Sequence, residues 1–101
     1  MKADVRWIEN VRAQFVRVYG EKRGAAVCGV VIPAVMGDFR RMLLAAEPGK
    51  TISEQYRTDD RKTDVTVTGH REERGGQPVC VIERIGIGGT PVDLGADTLV
   101  L

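Results

Sequence analysis

The longest apolar stretch in this chain, residues 25–36, is interrupted only by Gly29 and Pro33, and any fold must be built around it. A membrane span needs about 18 or more such residues, so the stretch predicts core rather than membrane. Over 25–32 the order Ala-Ala-Val-Cys-Gly-Val-Val-Ile is apolar at both odd and even positions, which predicts a strand buried on both faces and hence central. Pro33 ends it, because proline has no amide to give to a ladder. The polar turn Gly20-Glu21-Lys22-Arg23-Gly24 precedes it, so a strand over 15–19 and the strand over 25–32 are expected to form a hairpin.

Residues 4–19 are open to two interpretations. Asp4 as a cap, with Ile8, Val11, Phe15 and Val18 spaced by three and four, predicts a helix. Val11, Ala13, Phe15 and Tyr19 alternating with polar neighbours predict a strand. A short helix over 4–13 followed by a strand over 15–19 accommodates both, and a helix running through to Tyr19 is the alternative. Further on, Asp38 is placed to cap a short helix over 38–46 that gathers Phe39, Met42, Leu43 and Ala46 on one face, with Glu47-Pro48-Gly49 as its stop. Thr51 and Glu54 match a capping box and predict a helical turn over 52–56.

Residues 57–64 carry charges of both signs and nothing apolar, as a solvated loop does. Residues 64–68 then alternate valine with threonine, the pattern of a strand with one wet face. The polar stretch 70–77, containing Gly75-Gly76, is the expected turn of a second hairpin whose return strand covers 79–87. Gly88-Gly89-Thr90-Pro91 makes another turn, and residues 99–101 close the chain as a short strand. The fold class expected is α+β: one domain over 1–101, a small, mainly antiparallel β-barrel or sheet of five to six strands, with one or two short helices.

Charge and cysteine content narrow the functional classes. Lys and Arg number 15 against 14 Asp and Glu, a net charge of +1, without the basic excess of a nucleic-acid binder. So small a net charge also lowers the repulsion between copies, which favours self-association. The N-terminal residues Met1-Lys2-Ala3-Asp4-Val5-Arg6 are charged where a secretory signal needs an apolar run. Cys28 and Cys80 lie far apart within apolar segments, as reduced buried thiols of a cytoplasmic protein do. The location expected is the cytoplasm or a particle assembled there, without membrane association.

Chemistry is sparse. His70 is the only histidine and Ser53 the only serine, and Ser53 lacks the context of a nucleophile elbow. Gly86-Ile87-Gly88-Gly89 lacks the spacing and the following helix of a phosphate loop. Residues 92–97, Val-Asp-Leu-Gly-Ala-Asp, resemble the active-site turn of retroviral aspartic proteases, with Leu94 standing where that family has Thr or Ser. Val5-Arg6-Trp7 with the apolar residues 43–46 is similar to OsmC-type thiol peroxidases, but Glu47-Pro48-Gly49-Lys50 supplies no cysteine. No enzymatic activity, cofactor or metal is expected. The side chains suited to an interface are basic: Arg40, Arg41, Arg57, Arg61, Arg71 and Arg74, with Lys50 and Lys62 among them. Trp7, the sole tryptophan, is expected in packing.

The order of elements resembles that of the head–tail joining, or neck, proteins of tailed phages. The segments that carry it are 15–32 and 63–101. The resemblance implies a non-enzymatic ring component that packs between portal and tail, with contact surfaces in 33–62 and 70–77. A small homodimeric α+β protein that binds a ligand or a partner accounts for the same pattern and requires a concave apolar pocket. On either view the expected partners are proteins, including further copies of the chain. A small-molecule ligand is compatible with the second.

Overall fold

Two helices and five strands are formed by residues 6–101, the part of the chain that the computed structural model describes. The cap expected at Asp4, and the helix start with it, lie outside those residues. Helix α1 (Arg6–Tyr19) continues through the strand expected over 15–19. Val11 and Phe15 are fully buried four residues apart, with Trp7 and Tyr19 packed against the core on the same stripe. That spacing is helical to the last turn, so the alternative of a helix to Tyr19 is the one adopted.

Helix α2 (Glu21–Ala45) takes the place of both the central strand expected over 25–32 and the short helix expected over 38–46. Its 25 residues span about 37 Å at 1.5 Å each. Cys28, Ile32, Val35, Met36, Phe39 and Leu43 form one buried helical stripe that passes Pro33 without a break in phase. Proline does not end the helix because it sits on the exposed side. There its missing amide frees only the Gly29 carbonyl, which on that exposed side can turn to water. Instead of a hairpin, residues 15–32 make a helical corner. Gly20 alone, at φ 87°, separates the helices. At Gly24 they meet so closely that a Cβ would lie 2.6 Å from the Val16 Cα.

The strands are β1 (Ile52–Arg57), β2 (Asp64–Arg74), β3 (Gln77–Ile87), β4 (Thr90–Pro91) and β5 (Leu99–Val100). They form an open antiparallel sheet, not a closed barrel, ordered β1-β2-β3-β4 with β5 also on β3. The helical turn expected over 52–56 is the edge strand β1. Its residues alternate half-buried Ile52, Glu54 and Tyr56 with exposed Ser53, Gln55 and Arg57, a period of two that overrides the capping pattern. The turn expected over 70–77 shrinks to Gly75-Gly76, both at positive φ (59° and 78°), as a two-residue hairpin requires. His70 and Arg71 therefore belong to β2. Thr90 and Pro91, expected in a turn, pair with β3.

Both helices cover one face of this sheet. Val65, Val67, Cys80, Ile82, Ile85 and Ile87 meet the α2 stripe there, closed at one end by Val92 and Leu94. Thr68 pairs with Arg84 but Gly69 with Ile82, so Glu83 is an extra residue, a β-bulge in β3. Opposite the bulge, Gly69 brings β2 close to β3: a Cβ there would strike the Val81 carbonyl and the Phe39 ring.

Candidate interaction surfaces

From Gly24 to Gly37 helix α2 carries no charged residue, yet only one of its sides faces the core. Ala25, Ala26, Gly29, Pro33 and Ala34 are exposed, and Val30 is 74% exposed in their midst. On one flank, hollows of about 520 and 330 Å³ share Val30, Val31, Thr58 and Asp59, forming a groove between α2 and the loop of residues 58–63. That loop is tied down firmly. Asp60 accepts hydrogen bonds from the Tyr19 hydroxyl (2.8 Å), the Thr58 hydroxyl (2.7 Å) and the Lys62 amide (3.0 Å). These donors, the Lys62 amide foremost, hold its carboxyl down at about 2. On the other flank lies a cleft of about 370 Å³ between the helices, walled by Trp7, Val11, Ile32, Met36 and Leu101, with Arg12 its one charged side chain.

The opposite, open face of the sheet is polar. His70 Nδ1 lies 2.9 Å from Glu83 and Nε2 2.9 Å from Glu72. Ser53 pairs with Thr68, two residues from His70, so the structure does place the only serine and the only histidine on one face. The Ser53 and Thr68 hydroxyls, however, share a 2.9 Å hydrogen bond, and both imidazole nitrogens are engaged by carboxylates. No ring nitrogen is left to accept a proton from Ser53. Burial pushes the thiols of Cys28 and Cys80 up, away from the reactive thiolate. Asp93, in the protease-like turn, accepts the Gly95 amide at 2.8 Å as an exposed turn residue. Among the described residues, no three His, Cys, Asp or Glu side chains are disposed to hold a metal ion, and no helix is long and apolar enough to cross a membrane.

The basic residues singled out from the sequence do not form one surface. Arg40 and Arg41 are exposed near the end of α2, Arg41 pairing with Asp38 at 3.3 Å. Asp38 is inside the helix rather than at its cap, and also accepts from the Tyr56 hydroxyl (3.0 Å). The loss of a proton beside that carboxylate is resisted, and with burial as the larger cause the phenol is pushed up to about 12. Arg71 turns inward, donating to the Leu44 carbonyl (2.8 Å) at the C-terminal end of α2, where a cation is favoured. Arg74 pairs with Glu72 at 2.8 Å beside the hairpin turn. Only Arg57 and Arg61 come together, around a hollow of about 190 Å³ that they share with Lys62, Thr63, Asp64 and Gly88.

The α2 surface was hidden in the sequence because its exposed residues are as apolar as its buried ones. The available signal was the row Cys28, Ile32, Met36, Phe39 and Leu43, which keeps helical spacing across Pro33. Compared with family models, curated proteins and solved structures, the chain matches none.

Proposed function

We propose that this is a non-enzymatic assembly protein that acts by packing the outer side of α2 against a second copy of itself. The observation that carries this is the uncharged segment from Gly24 to Gly37 on a helix whose outer side is open, with Val30 at its centre. A helix apolar all round belongs in an interior, and on a small protein a partner supplies that interior. Antiparallel pairing about Val30 sets Ala26 beside Ala34 of the other copy, both small enough for close approach. The same register brings Arg23 of each copy level with Gly37 and Asp38 of the other. Asp38, Asp59 and Asp60 lie along the groove on that flank, so the basic end of one helix meets the acidic rim of its mate.

Such an isologous contact closes at two copies, whereas a ring of the head–tail joining kind needs a head-to-tail contact. The resemblance to that family now rests on 63–101, because 15–32 is helical. The occupied nitrogens of His70 and the buried thiols support a role in contact rather than chemistry.

The test is solution mass by light scattering over about 1–500 µM, a span that populates weak dimers by mass action, on the wild type and on Val30→Glu. Twice the chain mass for the wild type and a folded monomer for the variant are expected. A mass that climbs through many copies favours the ring, and a wild-type monomer at every concentration overturns self-association.

A further inference from the structure

We infer that the hollow at the end of the sheet binds a small oxyanion of the phosphate class, independently of the α2 contact. Arg57 closes β1, Arg61 projects from the loop of residues 58–63, and Gly88 turns β3 back toward β4. Neither guanidinium has a carboxylate or carbonyl partner among the described residues. Both are therefore free to turn to a ligand, unlike Arg41, Arg71 and Arg74. The one acid in the lining, Asp64, is turned to Gln55, whose amide donates to it at 2.5 Å. Lys62 adds a further positive charge, its ammonium lying over the Tyr19 ring at 5.7 Å.

The floor carries a second, separate indication. Thr63 is 8% exposed and its hydroxyl is buried without a hydrogen-bond partner. A buried hydroxyl left unpaired costs about 1–3 kcal/mol, which an oxyanion oxygen accepting from it would recover. Gly88 leaves space beside that hydroxyl, since a Cβ there would sit 3.0 Å from Thr63 Oγ1. The same glycine is held at φ 58°, where a side chain is also strained. Arg61 is the one non-glycine residue among those described with a positive φ, 60°. That costs backbone energy of the kind retained where a side chain must be aimed.

Two guanidinium forks and a hydroxyl donor match a tetrahedral oxyanion, each fork able to donate two parallel N–H bonds. At about 190 Å³ the hollow holds a phosphoryl group and little more, so any organic remainder of a phosphate ester would project into solvent. Inorganic phosphate and a phosphomonoester present this same group.

The experiment is amide NMR titration with sodium phosphate at constant ionic strength, matched by sodium chloride, and then with methyl phosphate. Saturable shifts confined to residues 57–64 and 86–89 are expected, with chloride giving none. Arg61→Gly is the informative variant, because glycine accepts the positive φ and only the guanidinium is lost. It and Arg57→Ala should each weaken phosphate binding about tenfold, as loss of a charge-assisted bidentate contact does. Thr63→Val should weaken it several-fold, and Arg74→Ala, at the far end of β2, should leave it unchanged. Tighter binding of methyl phosphate than of inorganic phosphate identifies an ester as the ligand, and the reverse identifies the free ion. Identical shifts with chloride, or wild-type phosphate affinity in Arg61→Gly, overturn the site.

Discussion

The imidazole of His70 bridges Glu72 and Glu83, and both contacts are hydrogen bonds only when both ring nitrogens carry protons. Its pKa is accordingly raised, by Glu72 first and Glu83 next, while partial burial pulls the other way. Glu72, bonded to His70 and Arg74, is lowered. The two shifts act on opposite sides of pH. His70 contributes fully below its unfolded value of about 6.5, and the gain is lost as pH rises through the raised folded value. The Glu72 contribution is present above about 4.3 and is lost as pH falls through its lowered value. Stability from this cluster is therefore greatest between roughly pH 4.5 and 6.5. Melting temperature should fall by about 1–5 °C from pH 6 to pH 8.5, the range for a partly exposed ion pair. In His70→Gln this fall should vanish, and a thermal melt series showing an unchanged fall would assign it elsewhere. None of this was visible in the sequence, where His70 is a solvated histidine in a polar turn. Glu83 reaches it only through the bulge, and a bulge changes pairing without marking the residues that form it.

In α2, two glycines five residues apart have opposite prospects. A Cβ on Gly24 would sit 2.6–2.8 Å from the backbone of Val16 and Phe15, whereas one on Gly29 meets nothing within 4 Å. Gly24→Ala should therefore cost about 1–3 kcal/mol by forcing the helices apart. Gly29→Ala should stabilise by about 0.5–1 kcal/mol through helix propensity alone. Urea unfolding measures both, and equal signs would show that the corner is not where the helices are pinned. In the sequence, β4 and the second half of β2 look like turns. The start of β2, most of β3, and β5 were legible, because threonine–valine alternation and the Gly-Gly turn report a half-wet sheet directly. The helical half was not. A helix apolar on both sides loses the contrast that periodicity depends on, and Pro33 then looks like a stop when it is only an outward-facing residue. At Ile52, Glu54 and Tyr56, alternation against β2 likewise outweighed a local capping pattern.

At the scale of the whole molecule, α2 touches β1, β2 and β3 through one core, so helices and sheet have no separate interiors to melt separately. Trp7 fluorescence and far-UV circular dichroism should follow a single unfolding transition, as one domain requires. Two resolved midpoints would divide the chain into helical and sheet units. Of the candidate surfaces, the sequence disclosed only Arg57 and Arg61 as part of a basic set. Which arginines stay free depends on where acids and carbonyls fall, and that is a property of the fold. The helical corner, turned on Gly20 alone, also bears on how the molecule forms. The two helices meet early in the chain, whereas the core that joins α2 to β2 and β3 needs strands made later. During synthesis the helical pair leaves the ribosome before the sheet exists. In that interval its core-facing stripe and its outer side are equally bare, and a nascent neighbour on the same message can dock on either. The brief lag before β2 and β3 arrive thus sets a kinetic contest between proper closure and misdocking of two growing chains.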